Sequence, residues 1–313
     1  MNKIELFNMS TAFRGETAIY GYTFGSGQKS AAIVGAMRGN EFQQLYICSQ
    51  LSKRLAELEE NGSIVSGKEI LVVPSLNYSA HNVYHKHWLA DDTDINRQFP
   101  GNPDGTATSR IAFHVLDTLV QYLYGVQFPS FYLDGEFIPH VRMMKTGMEN
   151  ERLGLANQFG LPFVMISEIR SYDTLTLNYN WQISGTEAFS IYSGGTDRIN
   201  EDYADLAVSS VLRFLSRMGI IKYNCQGGFM STVMNEESMV NIKADDAGFV
   251  RNLVRANMEV KKGDILAKII DPMDGRVKSE IRAPLSGIIF YSQEHPLVAQ
   301  NEVVFKMIKK LHK

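Results

Sequence analysis

The segment AAIVGAMRGNEFQQ, Ala31 to Gln44, decides how the first half of the chain is read. AAIV is a continuous apolar run, as in a strand buried on both faces. GAMRGNE, Gly35 to Glu41, reads as a tight glycine-containing turn. From Glu41 to Glu60 the residues Leu45, Ile47, Leu51, Leu55 and Leu58 recur near helical spacing, and NGS then ends the pattern. A strand that turns tightly into a helix is a frequent place for an active site.

Outward from this unit, the pattern repeats. ETAIYGYTF before it is β-like. KEILVVPSLN, Lys68 to Asn77, reads as a second buried strand with a proline stop, and VQFPSFYL and FGLPFVMISEI supply a third and a fourth. SRIAFHVLDTLVQYLYG and EDYADLAVSSVLRFLSRMGI read as helices. Apolar strands alternating with helices predict an α/β domain over residues 1–224, with a mainly parallel or mixed sheet covered by helices. From about Cys225 the helical period disappears. Short runs (GFVRNLV, DILAKII, SEIRAPL, GIIFYS, EVVFKMI) separated by Gly, Asp and Pro turns predict a C-terminal β-domain, barrel-sandwich-like, over residues 225–313.

Composition narrows the function. The 313 residues are 44% hydrophobic and 21% charged, which is ordinary for a soluble protein with ample core material. A formal net charge of -3 gives no basic footprint for nucleic acid or an anionic membrane. No apolar run approaches the roughly 18 residues of a spanning helix, and the start lacks the apolar core of a signal peptide, so a cytoplasmic protein is expected. The two cysteines, Cys48 and Cys225, read as idle thiols in a reducing compartment. The aromatic content permits a homo-oligomeric interface. No nucleotide is expected.

The loop NYSAHNVYHKHWLADDTDINRQFPG, Asn77 to Gly101, is the richest in chemistry. In DINRQFPG, the Arg97 fork can grip a carboxylate in two places while Asn96 reaches a carbonyl beside it; a bond from Arg97 to Asp94, Asp92 or Asp91 is the structural alternative. His81, His85 and His87 form H-x3-H-x-H in the same loop, a candidate ligand set or a partly exposed lid. Farther on, Asn178, Tyr179, Asn180, Trp181 and Gln182 either line a polar pocket or belong to a hairpin that packs Trp181 inward.

GAMRGNE, PSLN and DINRQFPG together resemble the succinylglutamate desuccinylase and aspartoacylase family of the zinc-carboxypeptidase superfamily, over about residues 15 to 310. That family reads G-x-x-H-G-N-E, P-x-x-N and D-x-N-R-x-F-P-G. The resemblance implies a zinc held by His, Glu and a later His, a glutamate base, and an Asn–Arg pair for the substrate carboxylate. Zinc would lower the pKa of its bound water and polarise an amide carbonyl. This chain departs from the pattern. The first His is Arg38, a permanent cation that cannot become a ligand. The second His is sought in FYLDGEF, where Leu133 or Asp134 takes its place. The base is sought in SIYSGG, where Tyr192 stands. Glu41 survives of the metal set, and Asn96 and Arg97 of the substrate set. His140 is a substitute ligand with Glu41 and Asp134 or Glu136, or a substrate contact beside Arg142. VKKGDILAKI and SEIRAPLSGIIF also resemble the hammerhead strands of biotinyl and lipoyl carriers. Arg276 stands where the modified lysine would fall, and Lys278 is off register, so neither cofactor is expected.

The resemblance therefore implies a deacylase or amidohydrolase, cleaving the C–N bond of a small N-acyl amino acid or peptide-like carboxylate, with an altered zinc site. Arg38, Glu41 and Tyr192 are its candidate catalytic residues. The departures imply two alternatives: a non-hydrolytic protein that lost zinc and binds a small anion or amino acid, or a metal-free acid–base enzyme using Arg38, Glu41, His140 and Tyr192.

Overall fold

The computed structural model describes residues 1–11, 15–131, 133–147, 149–225 and 227–309. They form two compact units. The first comprises Met1–Ser130, Pro139–Tyr192 and Thr196–Val233; the second comprises Phe131–Ile138, Ser193–Gly195 and Met234 onward.

The elements that build the first unit are, in chain order, β1 (Asn2–Thr11), β2 (Gly15–Gly25), β3 (Gly27–Ala36), α1 (Phe42–Glu60), β4 (Gly67–Ser75), α2 (Tyr78–His81), α3 (Ala107–Leu119) and β5 (Tyr124–Gln127). β6 (Gly135–Phe137) belongs to the second unit. The first continues with β7 (His140–Met144), α4 (Glu149–Ala156), β8 (Phe163–Ser167), α5 (Leu177–Ile183), β9 (Glu187–Tyr192) and α6 (Glu201–Arg217), and β10 (Thr232–Asn235) begins at its end. One nine-stranded sheet runs in the order β1-β2-β4-β3-β5-β9-β7-β8-β10. β3 is parallel to β4 and β5, and β5 to β9. β2 and β7 run antiparallel to their neighbours β4 and β9, so the sheet is mixed.

The period of two along each strand sorts side chains between two layers. Ala31 and Ile33 of β3 join Ile47, Leu51 and Leu55 of α1 and Val211 and Phe214 of α6 in one buried cluster. Ala32 and Val34 join Ile111 and Val115 of α3 and Trp181 of α5 in the other. α1 therefore forms where its apolar spacing predicts, and Gly62 ends it with a left-handed φ of 67°. α6 opens on Asn200, whose side chain accepts the Tyr203 N–H, and carries Glu201 and Asp202 in its first turn.

Three stretches differ from expectation. VQFPSFYL does not continue as a strand: β5 ends at Gln127, ahead of Pro129, which has no N–H to give a neighbour. LNYNWQI is the helix α5 and not a hairpin, opened by Thr176, whose side chain accepts the Tyr179 N–H. Asn2–Thr11 forms a long edge strand on β2 that the sequence did not announce.

The second unit adds β11 (Val240–Lys243), β12 (Gly248–Asn252), β13 (Glu259–Val260), β14 (Ile265–Ile270), β15 (Val277–Arg282), β16 (Gly287–Gln293), β17 (Leu297–Val298) and β18 (Val303–Lys309). They make a sheet ordered β11-β18-β16-β13, with β6 on β16, and a sheet ordered β15-β14-β12-β17. The core between them holds Leu266, Ile269, Ile289 and Phe305. Arg276 lies in the turn joining β14 to β15, exposed and beside Asp274. No helix among the described residues is long and apolar enough to cross a membrane.

Candidate functional site

In open α/β sheets ligands gather at the carboxyl ends of the parallel strands, where the order reverses. β3 lies between β4 and β5 at such a reversal, and GAMRGNE is its carboxyl end. Two glycines permit the turn. A Cβ on Gly35 would lie 2.4 Å from Pro74 O, and one on Gly39 would lie 2.3 Å from His85 O. Glu41 stands just before α1 and folds back on its own turn. Its Oε2 accepts the N–H groups of Met37 (2.7 Å) and Arg38 (3.0 Å). Its Oε1 accepts the Ser130 hydroxyl (2.5 Å) and Arg38 Nη1 (3.3 Å). A carboxylate offers about four lone-pair positions, and these four donors fill them.

Arg38 is buried in this network. Nη2 lies 2.8 Å from Asp94 Oδ2, Nε reaches both oxygens of the same carboxylate at 3.1 and 3.2 Å, and Nη1 also donates to Ser130 Oγ at 3.0 Å. Burial works against its charge, but the charges and hydrogen bonds of Glu41 and Asp94 outweigh it, and the guanidinium is held more firmly protonated than usual. Burial also pushes the Asp94 carboxyl up. Arg38, the Asn96 N–H and Arg97 more than reverse this and hold it below the usual carboxylate range.

Ser130 was not singled out in the sequence. Leu133 and Asp134, the candidates in FYLDGEF, belong to the second unit, and Ser130 of the first is a residue that reaches Glu41. Pro129, which ends the strand early, was the available signal.

His140, Arg142 and Tyr192 form a second group, on β7 and β9. His140 and Tyr192 are cross-strand partners, stacked at 5.2 Å with planes 5° apart. Arg142 donates to Ser167 Oγ at 2.6 Å and to the Tyr192 phenol at 3.2 Å. Because β9 is parallel to β5, Tyr192 and the start of β7 lie at the same edge of the sheet as Ser130 and Arg38.

The 77–101 loop closes around the turn. Asp94 accepts the Asn96 N–H to start a short 3-10 helix, Ile95–Arg97. Asn96 Oδ1 accepts the Leu177 N–H at 3.1 Å. Arg97 donates to Tyr172 O at 2.7 Å and lies over the Tyr172 ring; among the described residues it forms no ion pair. His81 is not a ligand beside His85. Its Nδ1 faces Gly39 O at 2.9 Å, so that nitrogen carries the proton and Nε2 accepts from Ser75 Oγ at 2.8 Å. Burial holds His81 below its usual pKa despite the Gly39 carbonyl and the charge of Glu41. In α5, Gln182 Nε2 donates to Asn178 Oδ1 and Ala188 O, Asn180 Nδ2 to the Thr174 and Thr176 carbonyls, and Trp181 Nε1 to Leu119 O. Glu187 and Glu168 pair with Arg152 and Lys145.

The sequence model of the succinylglutamate desuccinylase/aspartoacylase catalytic domain matches residues 27–218, well over half of the chain. The chain belongs to this family. It is 23% identical over 273 residues to an N-alpha-acetyl-L-2,4-diaminobutyric acid deacetylase of Halomonas elongata, covering 83% of this chain and 76% of that protein. Its fold is that of a succinylglutamate desuccinylase/aspartoacylase from Rhodobacter sphaeroides (TM-score 0.78, 18% identity, 99% and 96% of the two chains). The product-bound ectoine utilization protein EutE (DoeB) from Ruegeria pomeroyi is as similar (TM-score 0.78, 19% identity, 97% and 94%).

Zinc is the metal that membership of the desuccinylase/aspartoacylase family implies at this turn. The residues present do not fit it. Among the described residues, Glu41 meets the Ser130 hydroxyl there, the Asp94 carboxylate is held by Arg38, both nitrogens of His81 are engaged by Gly39 O and Ser75, and the Glu41 oxygen not bound to the turn already faces a guanidinium 3.3 Å away. A dication on that oxygen would meet a fixed positive charge with few ligands to offset the repulsion. Among the described residues, one set of three His, Cys, Asp or Glu side chains lies close enough to share an ion: His85, His87 and Asp92, not Glu41 with His140.

Proposed function

We propose that this chain is a non-hydrolytic member of its family that binds a small N-acyl amino acid or peptide-like carboxylate. One observation carries the reading. Arg38 occupies the turn, and the Glu41 carboxylate is saturated by four donors. Such a glutamate can neither ligate a metal nor take a proton from water without first losing one of these four bonds. The ligand carboxylate is gripped by Arg97, which has no ion-pair partner among the described residues, with Asn96 beside it and Arg142 as a further cation. The net charge of -3 agrees with a small-molecule ligand in place of nucleic acid or an anionic membrane.

A deacylase reading is favoured by the match to the family's catalytic-domain model and by the deacetylase relative in Halomonas elongata. The two readings separate in one experiment. N-acetyl-L-2,4-diaminobutyrate and a panel of N-acetyl and N-succinyl amino acids are titrated calorimetrically, and the same mixtures are followed by NMR. The binding reading expects association without release of the acyl group, weakened about tenfold or more by Arg97→Ala. Zinc-stimulated release of acetate or succinate, abolished by Glu41→Gln, would overturn it in favour of the deacylase.

A further inference from the structure

The loop that supplies Asp94 carries a second cluster that the reading above does not use. His85 Nε2 lies 2.9 Å from Asp92 Oδ1, and His87 Nδ1 lies 3.1 Å from the same oxygen. The ligand atoms of the three side chains all fall within 4.8 Å of one another. Four-coordinate zinc with bonds of about 2.0–2.1 Å places neighbouring ligands roughly 3.3 Å apart, so small side-chain shifts would admit an ion.

The backbone beneath the cluster is fixed at each step. His85 N–H donates to Ala80 O (3.1 Å), Lys86 O accepts the Gly39 N–H (3.3 Å), and His87 O accepts Asn77 Nδ2 (3.2 Å). Trp88 then enters the apolar layer with Ile95 and Phe99, and its N–H and carbonyl bond Thr93 and Asp92 across a short turn. Asp92 adopts a left-handed φ of 52° in that turn. A site built on a restrained backbone loses little order on binding. The two imidazoles are partly exposed and Asp92 lies in solvent, which leaves the remaining coordination positions to water.

We propose that His85 Nε2, His87 Nδ1 and Asp92 bind a divalent transition-metal ion of the zinc class. Two imidazoles and one carboxylate suit such an ion better than calcium or magnesium, which prefer oxygen donors. Binding requires a lone pair on each of the two named nitrogens, so each neutral ring carries its proton on the other one. The bound ion would fix the loop that runs on to Asp94 and packs its backbone against Gly39. This inference does not rest on the non-hydrolytic reading, because none of the three residues touches Glu41 or Arg38 in the network described above.

The test uses the full chain, stripped with a chelator and titrated calorimetrically with zinc sulfate; cobalt chloride is added in parallel to read the ligand-field absorption of a four- or five-coordinate site. One zinc per chain is expected. His85→Ala, His87→Ala and Asp92→Ala should each weaken it by roughly tenfold or more, since losing a ligand costs at least as much as losing an outer partner. Glu41→Gln should leave it unchanged. No zinc binding, or binding lost in Glu41→Gln but kept in His85→Ala, would overturn the proposal. Matching thermal unfolding of the metal-free variants and wild type establishes that each variant is folded.

Discussion

Asp94 and Asp92 stand two residues apart in one loop and live in different physical worlds. Asp94 is largely withdrawn from water and gripped by the Arg38 fork, with its pKa held down by that charge against the opposing effect of burial. Asp92 lies in solvent, and hydrogen bonds from His85 and His87 are the main cause of its lowered pKa. The first carboxylate belongs to a closed network in which a permanent cation has already taken the central place. The second belongs to an open cluster whose donors converge on one point. The difference teaches that a carboxylate's availability to a ligand is set by the state of its lone pairs, which resemblance to a motif does not show.

The sharpest way to break the contrast is to remove one partner from each region. Glu41→Ala leaves Arg38 short of a buried counter-charge and frees two N–H groups of the turn. It should destabilise the protein by about 3–5 kcal/mol, read from urea unfolding midpoints. A cost near zero would mean that the network is not closed. Asp92→Ala in metal-free protein should leave the same midpoint unmoved, since an exposed pair adds little. Gly39→Ala comes next in size. Its added methyl would run into His85 O, so a loss of about 1–3 kcal/mol is expected, together with weaker zinc binding at His85.

The smaller effects are in pH. Asp94 has a depressed folded pKa, so the unfolded chain takes up its proton first. The stability it contributes is present above its ordinary value of 3.8 and is lost as pH falls through the lower folded value. Asp94→Asn should flatten that acid limb of the midpoint-against-pH curve; an unchanged limb would remove the Arg38–Asp94 pair from the account. His81 is also depressed, chiefly by burial. The unfolded chain then binds the extra proton below 6.5, and stability should decline modestly as pH falls through that region. His81→Gln keeps a hydrogen-bonding side chain and should remove that decline.

Much of this architecture was legible in the chain itself. The continuous apolar AAIV and LVV runs could only be strands covered on both faces, and the spacing of Ile47, Leu51 and Leu55 fixed the helix that covers one of them. The β-runs after Cys225 likewise appear as β12, β14, β15, β16 and β18. What escaped was set by tertiary context. α5 is polar and aromatic, and it is helical because Thr176 caps it and Trp181 finds a place against Gly125, where even a Cβ would lie within 2.6 Å of the indole. Arg38, Glu41 and Asn96–Arg97 came from the resemblance of GAMRGNE and DINRQFPG to the family's motifs. Ser130 did not, because it has no distinctive chemistry until the fold sets it against Glu41. The pairing of Arg38 with Asp94, 56 positions away, also needs the loop's path, which no local pattern supplies.

The most direct measurement of the central claim is anomalous scattering at the zinc edge from crystals soaked in zinc. No peak is expected within bonding distance of Glu41, with the Arg38 guanidinium lying between Glu41 and Asp94. A zinc on Glu41, with Arg38 displaced into solvent, would contradict the claim.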